Sequence, residues 1–136
     1  MPTDRPQPTP AELAILNVLW RRGKSTVRDV LEELNRDRAG DSPGSSPAGY
    51  TTVLKLMQIM TDKGLLARDE QGRTHVYRPA QPEAQTLKRL AGDLLDRAFG
   101  GSARKLVAAA LSSKRATPEE LDDIRRLLDD MKGDVP

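Results

Sequence analysis

Apolar residues change their period along the chain, and each period predicts an element. Leu13, Leu16, Leu19 and Trp20 fall on one helical face, and the run stops at Arg22-Gly23. Its start is written in Thr9-Pro10-Ala11-Glu12: a threonine N-cap, a proline at the first helical position and a glutamate that closes a capping box. A second stripe, Val27, Val30, Leu31 and Leu34, follows a start at Ser25 or Thr26, with Asp29 three residues after Thr26. Val53, Leu56, Met57 and Met60 form a third at i, i+3, i+4, i+7, leaving Thr51, Leu54, Lys55, Gln58 and Asp62 on the opposite side. Lys63-Gly64 ends that helix with a cation in its last turn and a glycine able to turn left-handed.

The period then drops to two. Leu66 to Asp69 and Thr74 to Arg78 predict a hairpin around Glu70-Gln71-Gly72-Arg73, with Leu66 and Val76 turned inward. Helical spacing returns with Leu87, Leu90, Ala91, Leu94, Leu95 and Ala98, and a short stripe of Leu106, Val107, Ala110 and Leu111 follows. A second capping box, Thr117-Pro118-Glu119-Glu120, opens the last stripe of Leu121, Ile124, Leu128 and Met131, spaced like the seam of a helix pair. Three helices and a hairpin, in this order, predict a winged helix-turn-helix, an architecture that sets one helix in the DNA major groove. The expected fold is mainly α with a small β-hairpin wing, followed by a C-terminal helical dimerisation segment.

The predicted layout has three parts. Residues 1–8 are a proline-rich, disordered tail, and residues 9–80 form the winged-helix domain. Within it the run DRAGDSPGSSPAG makes 37–49 a flexible loop, far longer than a helix-turn-helix turn. Residues 81–132 form the helical dimerisation domain. A segment that small closes no satisfactory core alone, so its stripes need a partner, and a second copy of the chain is the favoured one.

Composition narrows the chemistry. The 136 residues are 37% hydrophobic but only 3% aromatic, so the core must be aliphatic. A net charge of +2 does not by itself single out a polyanionic partner. No apolar run is long enough to cross a membrane and no leader is visible, which predicts a cytoplasmic protein without a membrane partner. The absence of cysteine fits a reducing compartment and excludes thiolate chemistry and disulfides. His75, the only histidine, is a poor metal ligand without thiols, so no metal or cofactor is expected. No nucleophile–base arrangement and no phosphate loop can be assembled, which argues against an enzyme.

Four segments carry a resemblance: AELAILNVLW (11–20), STVRDVLEEL (25–34), YTTVLKLMQIMTDKGLLARD (50–69) and HVYRP (75–79). They resemble the penicillinase-repressor family of transcription factors, the BlaI/MecI/CopY group, from about Pro10 to Lys132. The resemblance implies a homodimer that reads a palindromic operator in double-stranded DNA. It also implies repression released when a regulatory protease cuts the dimerisation segment or, in the copper branch, when metal binds. Two departures limit it. The C-terminal cysteines of copper-responsive members are absent. Ala109-Ala110 stands where well-known members carry the protease-sensitive Asn-Phe bond. Lys55 and Ile59 replace the Thr and Arg that members often carry, which implies a different operator.

Residues at the start of a recognition helix meet base edges. Thr51 and Lys55 are the candidates for bases, the first through its methyl on thymine and the second at guanine acceptors. Gln58 lies one turn on and can reach a base or a phosphate. Tyr50 and Thr52 are candidates for phosphate or sugar, and Arg73 for the backbone or minor groove at the wing tip. Arg68, Arg78, Lys24 and Arg28 are weaker candidates. Leu87, Leu94, Leu121, Ile124 and Leu128 are the candidate dimer contacts. A second function stays open: a winged-helix module that binds protein instead of DNA, through the apolar Leu54 and Ile59.

Overall fold

A computed structural model describes residues 7–41, 49–113 and 116–133. Helices α1 (Pro10–Arg22), α2 (Val27–Asp41) and α3 (Tyr50–Asp62) precede a hairpin of β1 (Leu66–Gln71) and β2 (Thr74–Pro79). Helices α4 (Glu83–Ala98), α5 (Ala103–Ser113) and α6 (Pro118–Gly133) follow. The chain divides into two compact units, Met1–Leu90 and Ala91–Pro136, with the division inside α4.

The helix boundaries follow from the caps. Thr9 Oγ1 accepts the Glu12 N–H at 3.2 Å while Glu12 Oε1 accepts the Thr9 N–H at 3.0 Å, a closed capping box on α1. Thr26, not Ser25, caps α2: its hydroxyl accepts from the Asp29 N–H at 3.1 Å and Asp29 accepts the Thr26 N–H at 3.2 Å. At the end of α3, Gly64 takes φ +85°. The Leu65 N–H reaches the Met60 carbonyl at 2.8 Å and the Gly64 N–H reaches that of Thr61 at 3.1 Å. This is a Schellman stop, with Leu65 and Met60 both buried beside it.

One core serves the first unit. Ile15, Leu16, Val18 and Leu19 of α1, Val27 and Val30 of α2, and Val53, Met57 and Met60 of α3 are buried together with Leu65, Leu66 and Tyr77. Leu13, Trp20, Leu31, Leu34, Leu54 and Leu56 pack against them partly buried. The stripe on α1 is therefore wider than the spacing predicted, because α1 is covered by both other helices and by β2.

Two expectations are corrected. Helix α2 runs on to Asp41, so residues 37–41 are helical rather than loop. Arg36, Arg38 and Ala39 are good helix formers, and Arg21 Nη2 holds Asp37 at 3.1 Å, so the helix continues into the start of the Gly/Ser/Pro-rich run that suggested a loop. Residues 42–48 of the expected loop, and 1–6 of the expected tail, lie outside the described residues. In the hairpin the inward residue of β2 is Tyr77, 1% exposed, and Val76 is only half-buried. Leu66 lies opposite Pro79 and Arg68 opposite Tyr77, which puts Leu66 and Tyr77 on one face and Val76 on the other. The strands are also longer than expected and meet in a two-residue loop, Gly72-Arg73, with Gly72 at φ +65°.

The wing is tied to the helices by an isolated antiparallel bridge. Ser25 and Tyr77 exchange both backbone hydrogen bonds, at 2.9 and 2.8 Å. The Ala80 N–H closes the hairpin base on the Leu65 carbonyl at 2.9 Å. In α5 and α6 no residue is buried.

Candidate nucleic-acid interface

Burial splits α3 along its length. Val53, Met57 and Met60 face the core, while Thr51, Thr52, Lys55 and Gln58 are exposed on the other side. These four residues, spaced one, three and three apart, form one polar edge one helix long. Leu54, expected on that free side, is instead half-buried against the core, and Ile59 remains 39% exposed. No aspartate or glutamate occupies the first turn of α3, and its N-cap is Gly49, without a side-chain hydrogen bond. The N–H groups at this end are thus free to meet an anion.

Tyr50 lies at the start of this edge, 44% exposed. Its ring carries the Arg28 guanidinium at 5.5 Å from the centroid, joining the first turns of α2 and α3. Arg73 sits exposed at the wing tip. Arg28, Tyr50 and Arg73 line a cleft of ≈ 450 Å³, with Thr26, Thr74 and His75 as its other polar lining. Val27, Leu54 and Tyr77 supply its apolar wall. The structure therefore brings Tyr50 and Arg73 together, whereas Thr51, Lys55 and Gln58 lie along α3 outside the cleft.

The other cations sort by partner. Arg78 is held by Asp69 at 3.3 Å across the hairpin. Arg21 bonds Glu33 and Asp37, at 3.3 and 3.1 Å, and Arg22 bonds Asp29 at 3.4 Å. Lys24 and Arg68 are exposed. Asp29 has its pKa lowered, chiefly by the Thr26 N–H, so it stays ionised opposite Arg22.

One contact was not anticipated from the sequence. Lys63 Nζ lies 2.9 and 3.0 Å from the two oxygens of Glu12, whose side chain is buried. Burial alone would raise the Glu12 pKa; the Thr9 N–H, the Lys63 hydrogen bond and its charge outweigh it, and the net shift is downward. The pair pins the C-terminal end of α3 to the N-terminal end of α1, across 51 residues of sequence. Both residues had obvious local roles, a cap and a last-turn cation, and nothing local revealed that they meet.

The candidate dimer contacts lie elsewhere. Leu87, Leu94, Leu121 and Leu128 are 45, 47, 44 and 54% exposed, and Ile124 is half-buried. Met131, the last residue of the predicted seam, is 58% exposed, and Leu127, at 57%, widens the apolar face of α6 beyond that seam.

The family model for penicillinase repressors matches residues 8–130, across both units. The chain belongs to the penicillinase repressor family. Among its relatives are the penicillinase repressor of Bacillus licheniformis, 26% identical over 128 residues and 94% of each chain. Another is the transcriptional regulator BlaI of Mycobacterium tuberculosis, 29% identical over 123 residues, covering 90% of this chain and 83% of that one. Two solution structures are similar at 26% identity, each covering 60% of this chain and 89% of the other. They are the monomeric form of Bacillus licheniformis BlaI in complex with the blaP half-operator, TM-score 0.47, and the DNA-binding domain of the repressor BlaI, TM-score 0.48. In this family of transcriptional repressors the chain keeps the three helices, the hairpin and the C-terminal helices in their expected order.

Proposed function

We propose that this chain is a dimeric, sequence-specific DNA-binding repressor acting on a palindromic operator. The carrying observation is the free polar edge of α3, with Thr51, Lys55 and Gln58 exposed while Val53, Met57 and Met60 hold the helix to the core. Family membership, with relatives named as repressor and regulator, supports the reading. Thr51 and Lys55 read base edges, Gln58 a base or a phosphate, and Tyr50 and Thr52 lie against the backbone. Arg73 reaches the backbone or minor groove from the wing. Residues 9–80 serve DNA and 81–132 serve the dimer, through Leu87, Leu94, Leu121, Ile124 and Leu128. The protein is cytoplasmic with its DNA and needs no catalytic step or cofactor. A regulatory protease acting on it would cut a bond other than Asn-Phe, because Ala109-Ala110 takes that place in α5.

Selection of bound duplexes from a random pool tests this. The full chain should enrich a palindrome with half-sites about one helical turn (~34 Å) or a multiple apart. Lys55→Ala should relax preference at one position per half-site, a loss of about 5–150-fold in discrimination for a contact of about 1–3 kcal/mol. A pool that stays unenriched at moderate salt would refute the proposal. The alternative, a protein-binding module, is weakened by Leu54, which packs on the core and leaves Ile59 as the exposed apolar residue of the α3 edge.

A further inference from the structure

The cleft between the starts of α2 and α3 and the wing tip holds two arginines and no carboxylate among its lining residues. Three other arginines of this unit, Arg21, Arg22 and Arg78, each hold an aspartate within 3.4 Å. Arg28 is held differently: its guanidinium lies over the Tyr50 ring, 5.5 Å from the centroid. A guanidinium attracted to a ring face still has N–H donors for the paired oxygens of a phosphate. Behind it Val27 and Tyr77 are buried, 6 and 1% exposed, so water cannot screen the cations from that side. Arg73, Thr74 and His75 enter from the wing, opposite Arg28.

We propose that this cleft seats one phosphodiester of the DNA backbone, gripped by Arg28 and Arg73, with Tyr50 as the residue that positions Arg28. The inference rests on the DNA-binding reading and refines it. Tyr50 then acts through its ring rather than by a hydrogen bond to DNA. The phosphate fixes the angle between wing and recognition helix, and so the register in which Thr51 and Lys55 meet the bases.

The test measures binding of the full chain to a random-sequence duplex, by fluorescence anisotropy, between about 50 and 200 mM salt. Arg28→Ala with Arg73→Ala should lower the slope of log affinity against log salt by about 0.9 per subunit, the share of one phosphate, and each single variant by less than that. Tyr50→Leu should weaken binding about 2–5-fold, the size of an exposed cation–π contact, and only while Arg28 is present. Tyr50→Phe should bind like the parent. An unchanged slope in the double variant, with an unchanged melting temperature, overturns the seat while leaving DNA binding in place. Equal loss from Tyr50→Leu with and without Arg28, or the same loss from Tyr50→Phe, overturns the positioning role. Inorganic phosphate supplies the last arm, compared with sulfate at equal ionic strength. If it displaces DNA better than sulfate from the parent but not from Arg28→Ala, the cleft is a free-phosphate site and the backbone assignment fails. A parent that binds no duplex at all fails the DNA reading itself.

Discussion

Removing the Lys63 ammonium should cost the N-terminal unit more than any exposed ion pair would. Glu12 is 2% exposed and cannot leave its site without opening the capping box on α1. In Lys63→Met the carboxylate therefore stays buried with only Thr9, through its N–H and its hydroxyl, to compensate it. Breaking one side of a fully buried pair costs about 3–5 kcal/mol. The Lys63 side chain is 29% exposed, so water already shares its charge, and a figure nearer ~2 kcal/mol follows. For a unit of this size that is a fall of roughly 10 °C in melting temperature. Trp20 is the only tryptophan and packs half-buried on this core, so its fluorescence during urea unfolding reports this unit.

The pH dependence fixes the cause. The Glu12 pKa is lowered in the folded state, so its contribution is complete above the ordinary carboxylate value of 4.5 and fades as pH falls through the folded value. Lys63→Met loses that contribution at neutral pH, and the gap between variant and parent should narrow below about pH 4.5 as both carboxyls take a proton. Glu12→Gln keeps an amide that can still close the capping box and carries no charge to strand. In its background Lys63→Met should cost under about 0.5 kcal/mol. A deficit that is constant from neutral to acid pH, or unchanged beside Glu12→Gln, would show that Lys63 acts through its methylenes and not its charge.

Three further outcomes are expected. Gly64→Ala should destabilise by about 1–2 kcal/mol in the same unfolding assay, because φ is +85° there while an added Cβ meets no atom within 4 Å; the cost is one of backbone conformation alone. Arg78→Ala should change stability by less than about 0.5 kcal/mol, since both partners of the Arg78–Asp69 pair are at least 41% exposed, and should leave the salt slope of DNA binding unchanged. Leu121→Asp together with Leu128→Asp should sediment as a monomer and bind operator more weakly, because two half-sites then no longer share one binding event.

The elements were legible in the sequence wherever a local signal and a tertiary demand agreed. Thr9-Glu12 and Lys63-Gly64 bounded their helices correctly because caps are made from neighbours in sequence. The polar edge of α3 was legible for the same reason, since a 3.6-residue period fixes opposite faces. Misreadings came where distant contacts decide. The composition of 37–49 read as loop throughout, yet α2 runs on to Asp41, with a bridge from Arg21 to Asp37 that no local rule foresees. Val76 looked like the inward strand residue, but the wing is docked by Ser25 pairing with Tyr77, and that pairing selects the opposite face. The Arg28–Tyr50 stack and the Glu12–Lys63 pair join residues 22 and 51 positions apart and carry no periodic trace.

What each unit leaves uncovered indicates what it is built to meet. In the first, the large aliphatic side chains of α1 to α3 are buried or half-buried except Ile59, and the polar edge of the third helix is hydroxyl, amide and ammonium until Asp62 at its end. Such an edge gains little from another apolar surface and much from a polyanion with hydrogen-bonding base edges. In α5 and α6 the balance is reversed: Val107, Leu111, Leu121, Leu127, Leu128 and Met131 are each at least 39% exposed. Fully burying a leucine or methionine is worth about 1.5–3 kcal/mol, so each of these half-exposed side chains stands to gain roughly half of that when covered. On the proposed function a second copy covers these helices, since the same chain supplies an identical stripe. In that dimer two polar edges would be read by one DNA in a single event, and the weak pairing of each edge would become operator affinity.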